Sequence, residues 1–97
     1  MINLNLESMP YRRGRILKLL LASNNAGMSA PLLRQTLRDF GYKTDEDTHA
    51  VDVHWLSRHG LVQTRDVSGV QFVKITPRGR DITTGDLDFP GIQFIED

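Results

Sequence analysis

The feature that most constrains this chain is a joint between two helical patterns. Leu33, Leu37 and Phe40 recur at i, i+4 and i+7, Gly41 follows at once, and a second stripe of His49, Val53 and Leu56 begins shortly after Tyr42, Lys43 and Thr44. Side chains at that spacing share one face of an α-helix. Gly41 supplies a left-handed stop, and Thr44 or Asp45 can accept from the exposed N–H groups of the next first turn. Two helices joined this tightly through a glycine form a helix-turn-helix.

The flanks extend the pattern. Ile2, Leu4 and Leu6 alternate with Asn3, Asn5 and Glu7, which predicts a short strand or extended arm over residues 1–8. Ser8 and Pro10 read as the start of a first helix, since proline is tolerated in a first turn. Its apolar stripe is Ile16, Leu17, Leu20 and Leu21, opposed by Arg12, Arg13, Arg15 and Lys18, and it is expected to end near Asn24, Asn25 and Gly27. Ser29 and Pro31 open the second helix, and Gly60 closes the third.

From Leu61 the texture becomes β-branched and alternating. Leu61–Arg65 and Val70–Ile75 around Asp66-Val67-Ser68-Gly69 predict a hairpin, and Thr76-Pro77 a short fourth helix through about Thr83. Gly85 then releases an acidic tail, residues 86–97, carrying Phe89, Ile92, Phe94 and Ile95. The expected fold is α+β: a winged helix-turn-helix with a three-helix core, a β-hairpin wing and a short C-terminal helix. With 97 residues there is room for one hydrophobic core, so a single domain over residues 1–97 is expected.

Charge is balanced in total and sorted along the chain. Residues 10–43 hold seven basic side chains against Asp39 alone, whereas residues 44–62 hold Asp45, Glu46, Asp47 and Asp52 against Arg58. Arg65, Lys74, Arg78 and Arg80 make residues 63–80 basic again, and residues 81–97 carry five carboxylates and no base. A net charge of zero excludes a protein that coats nucleic acid by bulk charge. No apolar run approaches the ~20 residues of a membrane span, and no basic and apolar leader opens the chain, so a cytoplasmic protein is expected. With no cysteine, disulfide and thiolate chemistry are excluded.

Gly60-Leu61-Val62 running into Ile75-Thr76-Pro77-Arg78-Gly79 resembles repressors of the ArsR, MarR and PadR kind. More closely, the chain is similar to small ArsR-like winged-helix proteins of Mu-like prophages. The matching residues are Gly41-Tyr42, Asp52-Val53-His54-Trp55-Leu56, Gly60-Leu61-Val62, Thr76-Pro77-Arg78-Gly79-Arg80-Asp81 and Pro90-Gly91-Ile92. The resemblance implies a DNA-binding, transcriptional-regulator-like protein, and a homodimer is expected because a two-fold operator needs two wings. Where that group often has arginine at the start of helix three, this chain has Asp45-Glu46-Asp47.

Candidate DNA contacts are Arg34 and Arg38 on helix two, Thr48 at the start of helix three, Arg65 and Lys74 on the wing, and Arg78 and Arg80 after it. The plainer reading of these bases is a solvated face screened by Asp86, Asp88, Glu96 and Asp97. The three acids opening helix three complement its dipole, and they also suit a protein partner with a basic surface. Double-stranded DNA is thus the first expected partner, and a phage assembly or packaging component the alternative. Asp45, His49 and Asp52 share a helical stripe with metal-ligand spacing, but a buried structural His49 is the preferred reading, so no metal or cofactor is expected. Trp55 is expected in the core or at a subunit contact, and the apolar side chains of the tail at a partner surface. With no Gly-rich phosphate loop, nucleophile elbow or cysteine, no enzyme is expected.

Overall fold

In chain order the elements are α1 (Leu4–Ala22), β1 (Met28–Ser29), α2 (Ala30–Asp39), α3 (Glu46–Arg58), β2 (Val62–Val67), β3 (Val70–Ile75) and α4 (Pro77–Thr83). The computed structural model describes residues 4–23, 26–85 and 87–95, with side chains from Met9 onward. Four helices and a three-stranded antiparallel sheet of order β1-β3-β2 make a small α+β fold consistent with a winged helix.

Each of the later helices starts where a side chain can satisfy its first turn. The Ser29 hydroxyl accepts from the Leu32 N–H at 3.3 Å, and the Asp45 carboxylate from the Thr48 N–H at 2.7 Å. The Thr76 hydroxyl accepts from the Gly79 N–H at 3.0 Å and donates to the Gly60 carbonyl at 2.7 Å, tying α4 to the end of α3. Gly41, at φ +92°, ends the α2 side of the joint in the left-handed region that glycine enters without strain.

The hairpin is longer than the alternation predicts. Asp66 and Val67 belong to β2, so the turn is only Ser68 and Gly69, at φ 52° and 83°, the two positive values that a tight two-residue hairpin turn needs. Pairing runs from Val62 opposite Ile75 to Val67 opposite Val70. The short strand β1 was not expected; two residues show no periodicity, and its place is set by pairing of Met28 with Val73 and Ser29 with Phe72.

Among the described residues thirteen apolar side chains close the core, drawn from every helix, the sheet and the tail. Ile16, Leu17 and Leu20 of α1 meet Leu33 and Leu37 of α2, Val53 and Leu56 of α3, and Ile82 of α4. Phe40, expected to complete the α2 stripe, is instead half exposed at the helix end beneath the Arg15 guanidinium, 4.8 Å from its ring centre.

Three expectations for α1 and the tail are corrected. Residues 4–8, read as part of an arm, are the first turns of α1; residues 1–3 lie outside the described residues. Three alternating residues are too few to distinguish strand from helix. Pro10 therefore lies inside α1, where it has no N–H to donate and crowds the carbonyl four residues back.

Arg12, assigned to the solvent side of α1, is buried, and so is Asp52 of α3. The Arg12 Nε donates to Asp52 Oδ2, and Nη2 donates to Oδ1 at 3.1 Å. Arg13 flanks the pair, its Nε 3.9 Å from Asp52 Oδ1. Burying two opposite charges is tolerable because the fork and the carboxylate satisfy each other; either charge alone would be stranded.

Of the apolar side chains expected on an open tail surface, Ile95 is exposed and the other three are not. Ile92 enters the core, and Phe89 and Phe94 pack against it. Hydrogen bonds to its backbone hold the tail along α1: the Gln93 N–H donates to the Pro10 carbonyl at 3.1 Å, and the Lys18 side chain donates through Nζ to the Ile95 carbonyl at 2.8 Å. Gly14 permits the approach, since a Cβ there would lie 2.1 Å from the Gln93 oxygen.

Removing one member of the buried pair should be far worse than replacing both. Arg12→Ala is expected to lower unfolding free energy by about 3–5 kcal/mol, and Arg12→Met with Asp52→Leu by much less than twice that, measured by urea denaturation. Equal, small losses for the single and double variants would show that the pair is not desolvated.

Candidate nucleic-acid interface

Helix α3 turns one side to the core and the other to solvent. His49, Asp52, Val53 and Leu56 are buried, whereas Glu46, Asp47, Ala50, Val51, His54 and Arg58 are exposed. The outer face is therefore graded, with carboxylates at its N-terminal end, the small apolar pair Ala50 and Val51 in the middle, and His54 and Arg58 at the far end. Val51 is 62% exposed, an unusual degree for a valine on a helix of so small a protein. Of the three acids that open the helix, Asp45 is committed to capping, and the Thr48 N–H holds its carboxyl below the ordinary range. Glu46 and Asp47 remain on the exposed first turn, where they complement the positive end of the helix dipole.

Beside that first turn, α2 and the joint form a cavity of about 630 Å³ lined by Arg34, Arg38, Tyr42, Lys43, Asp45 and Thr48, among others. The candidates Arg34, Arg38 and Thr48 are thus brought together, and Lys43 joins them. Arg65 and Lys74 form a second group. Cross-strand pairing sets Arg65 opposite Phe72 and Lys74 opposite Gln63, which puts all four on one face of the hairpin. That face borders a cavity of about 800 Å³, closed on one side by Ser57 and Gly60 at the end of α3.

Arg78 and Arg80 lie apart from both groups, on α4. The Arg78 guanidinium is 5.6 Å from the Phe89 ring centre, against the tail. Asp88 is exposed next to Phe89; Asp86, Glu96 and Asp97, invoked as a screen for the basic face, lie outside the described residues. Trp55 is covered from within the chain: Arg13 sits 4.0 Å over its ring, and Phe89 meets it edge-on at 5.9 Å.

The stripe of Asp45, His49 and Asp52 does not converge on a common point for a metal. Asp45 caps α3 and Asp52 holds Arg12, and among the described residues no three His, Asp or Glu side chains gather around one point. His49 is buried, and neither ring nitrogen makes a hydrogen bond of normal geometry. Burial pushes its pKa below the ordinary 6.5; Asp52 opposes the shift, and Arg34 and Arg12 reinforce it.

The exposed Lys43, Val51 and Arg58 and the half-buried Phe72 were not singled out from sequence as contacts. Three of them had a signal: Val51 and Arg58 fall off the 49-53-56 stripe, and Phe72 alternates with Val73, a buried member of β3.

A protein of Escherichia phage Mu, the "Uncharacterized protein gp26", is 28% identical to this chain over 82 residues, covering 84% of each. The solved crystal structure of SSV1 F-93 superimposes with a TM-score of 0.62 at 19% identity, covering 76% of this chain and 79% of that one. No known family profile matches the chain. The chain is thus similar in sequence to a phage protein and similar in fold to SSV1 F-93.

Because the unfolded chain protonates His49 more readily than the folded one, stability should be full above about pH 6.5 and fall as pH drops below it. His49→Gln should flatten that dependence between pH 7.5 and 5.5 in urea midpoints. An unchanged slope in the variant would place the titration elsewhere.

Proposed function

We propose that this chain is a winged-helix DNA-binding protein of the transcriptional-regulator type, a binding module and not an enzyme, encoded by a phage or prophage and working in the cytoplasm of its host. The observation that carries the reading is the placement of two basic groups on either side of the exposed face of α3: Arg34, Arg38 and Lys43 beside its first turn, and Arg65 and Lys74 on the wing beyond its last. In this reading α3 enters the major groove, and the flanking cations hold phosphates on both sides.

Ala50 and Val51 suit contact with thymine methyl groups. Glu46 and Asp47 are unfavourable close to phosphates, so the helix would enter by its middle and C-terminal end, where His54 and Arg58 lie, and Thr48 would contact the backbone. Arg78, over the Phe89 ring, would serve the tail more than the DNA, and Arg80 lies outside both groups. The likeness to a phage Mu protein and to SSV1 F-93 supports the setting and the fold, and an ArsR-like ancestry would account for the Gly60-Leu61-Val62 joint. A homodimer would supply two such helices to a two-fold operator.

The exposed Glu46 and Asp47 favour one other reading, a winged helix that meets a basic protein, such as a phage assembly or packaging accessory, through the start of α3. Salt dependence separates the two. Five phosphate contacts per protomer predict that log K for duplex DNA falls against log salt with a slope of about −4 to −5 per protomer bound, and about twice that for a homodimer, by counterion release. Undetectable binding at low salt, or a flat line, would overturn the DNA reading and leave the protein partner.

A further inference from the structure

Phe72 has an unusual setting. It stands on the outer face of β3, half-buried, directly across from Arg65 on β2 and two residues from Lys74 on the same face. On the opposite face of the same strand Val73 and Ile75 are buried, so Phe72 is the aromatic left out of the core by the register of the hairpin. The cavity it borders is lined further by Gln63, Ser57, Thr64 and Thr76, and among the described residues no carboxylate lines it. An aromatic ring between two cations, with amide and hydroxyl groups at the rim and no acid, is complementary to a base attached to its phosphates.

We infer that this face of the wing binds a single strand of nucleic acid, with one base stacked on Phe72, the adjoining phosphates held by Arg65 and Lys74, and base edges within reach of Gln63 and Ser57. Bases stack on aromatic side chains with little sequence preference, and basic side chains track the backbone. A duplex keeps its bases paired and its flat faces hidden, so Phe72 has no role in the groove contacts of α3. The inference shares with the proposed function only the assignment of Arg65 and Lys74 to phosphates, and it stands or falls on Phe72.

The test uses the full chain and twelve-residue oligomers of dT and of rU, each with a central 2-aminopurine, alongside a duplex of mixed sequence. Binding of either single strand should quench 2-aminopurine emission. Phe72→Leu should weaken that binding about tenfold or more and abolish the quenching, Phe72→Tyr should retain both, and duplex affinity should stay within about twofold in both variants. The dT and rU arms identify the sugar that is preferred. Failure of both oligomers to bind, binding without quenching, or equal affinity of wild type and Phe72→Leu would overturn the inference. Equal loss of duplex and single-strand binding in Phe72→Leu would also overturn it, by assigning Phe72 a structural role. If duplex binding proves salt-independent while the oligomers still bind through Phe72, the duplex reading fails and this one stands.

Discussion

The ion pair of Arg12 and Asp52 is the contact on which the arrangement depends. It joins the first helix to the third across the core, and it is directional where the surrounding contacts are not. Leucine and isoleucine packing tolerates sliding and rotation of one helix on another, whereas a guanidinium fork on a carboxylate accepts one angle. Such a pair is weak support for net stability, because two charges had to leave water. Its effect is to fix which side of α3 faces inward. With Asp52 inside, Asp47, Val51, His54 and Arg58 are outside.

The same contact divides the molecule into a closed side and an open one. Next to Arg12, Arg13 covers Trp55 and donates to the Gly91 carbonyl at 3.3 Å, so the pair's neighbour also helps hold the tail. The tail in turn brings Ile92 into the core and seals the α1 side. The joint, the outer face of α3 and the wing carry two groups of cations, of which Arg38, Lys43, Arg65 and Lys74 are exposed and Arg34 is half-buried. Net neutrality of the whole chain thus coexists with local basic surfaces, as the segment-by-segment charge count suggested.

Most of the architecture was legible from residues whose chemistry allows few alternatives. Gly41 and Gly60 mark helix ends, Ser29, Asp45 and Thr76 cap the following helices, and alternation from Val70 to Ile75 reports a half-buried strand. What was misread depended on distant partners. Arg12 looked like one more base on a polar face, yet it lies four residues before Ile16 on the buried stripe, as Asp52 lies four before Leu56. A charge on each of two core stripes is a visible clue to a buried pair. Strand β1 left no clue, since only β3 makes it a strand. The docking of the tail was equally hidden: Ile92 and Phe94 read as exposed because the groove that receives them is formed by Pro10, Gly14 and Lys18, some eighty residues earlier.

The central claim is that the open side, made of the joint, α3 and the wing, is the working surface. It is tested most directly by titrating the isotope-labelled chain with duplex DNA at low salt and following backbone amide resonances. The account predicts that shifts concentrate at Lys43, Thr48, Ala50, Val51, His54, Arg65 and Lys74, while Tyr11, Lys18 and Gln93 on the closed side stay in place. Shifts confined to α1 and the tail, or none at any concentration, would contradict it.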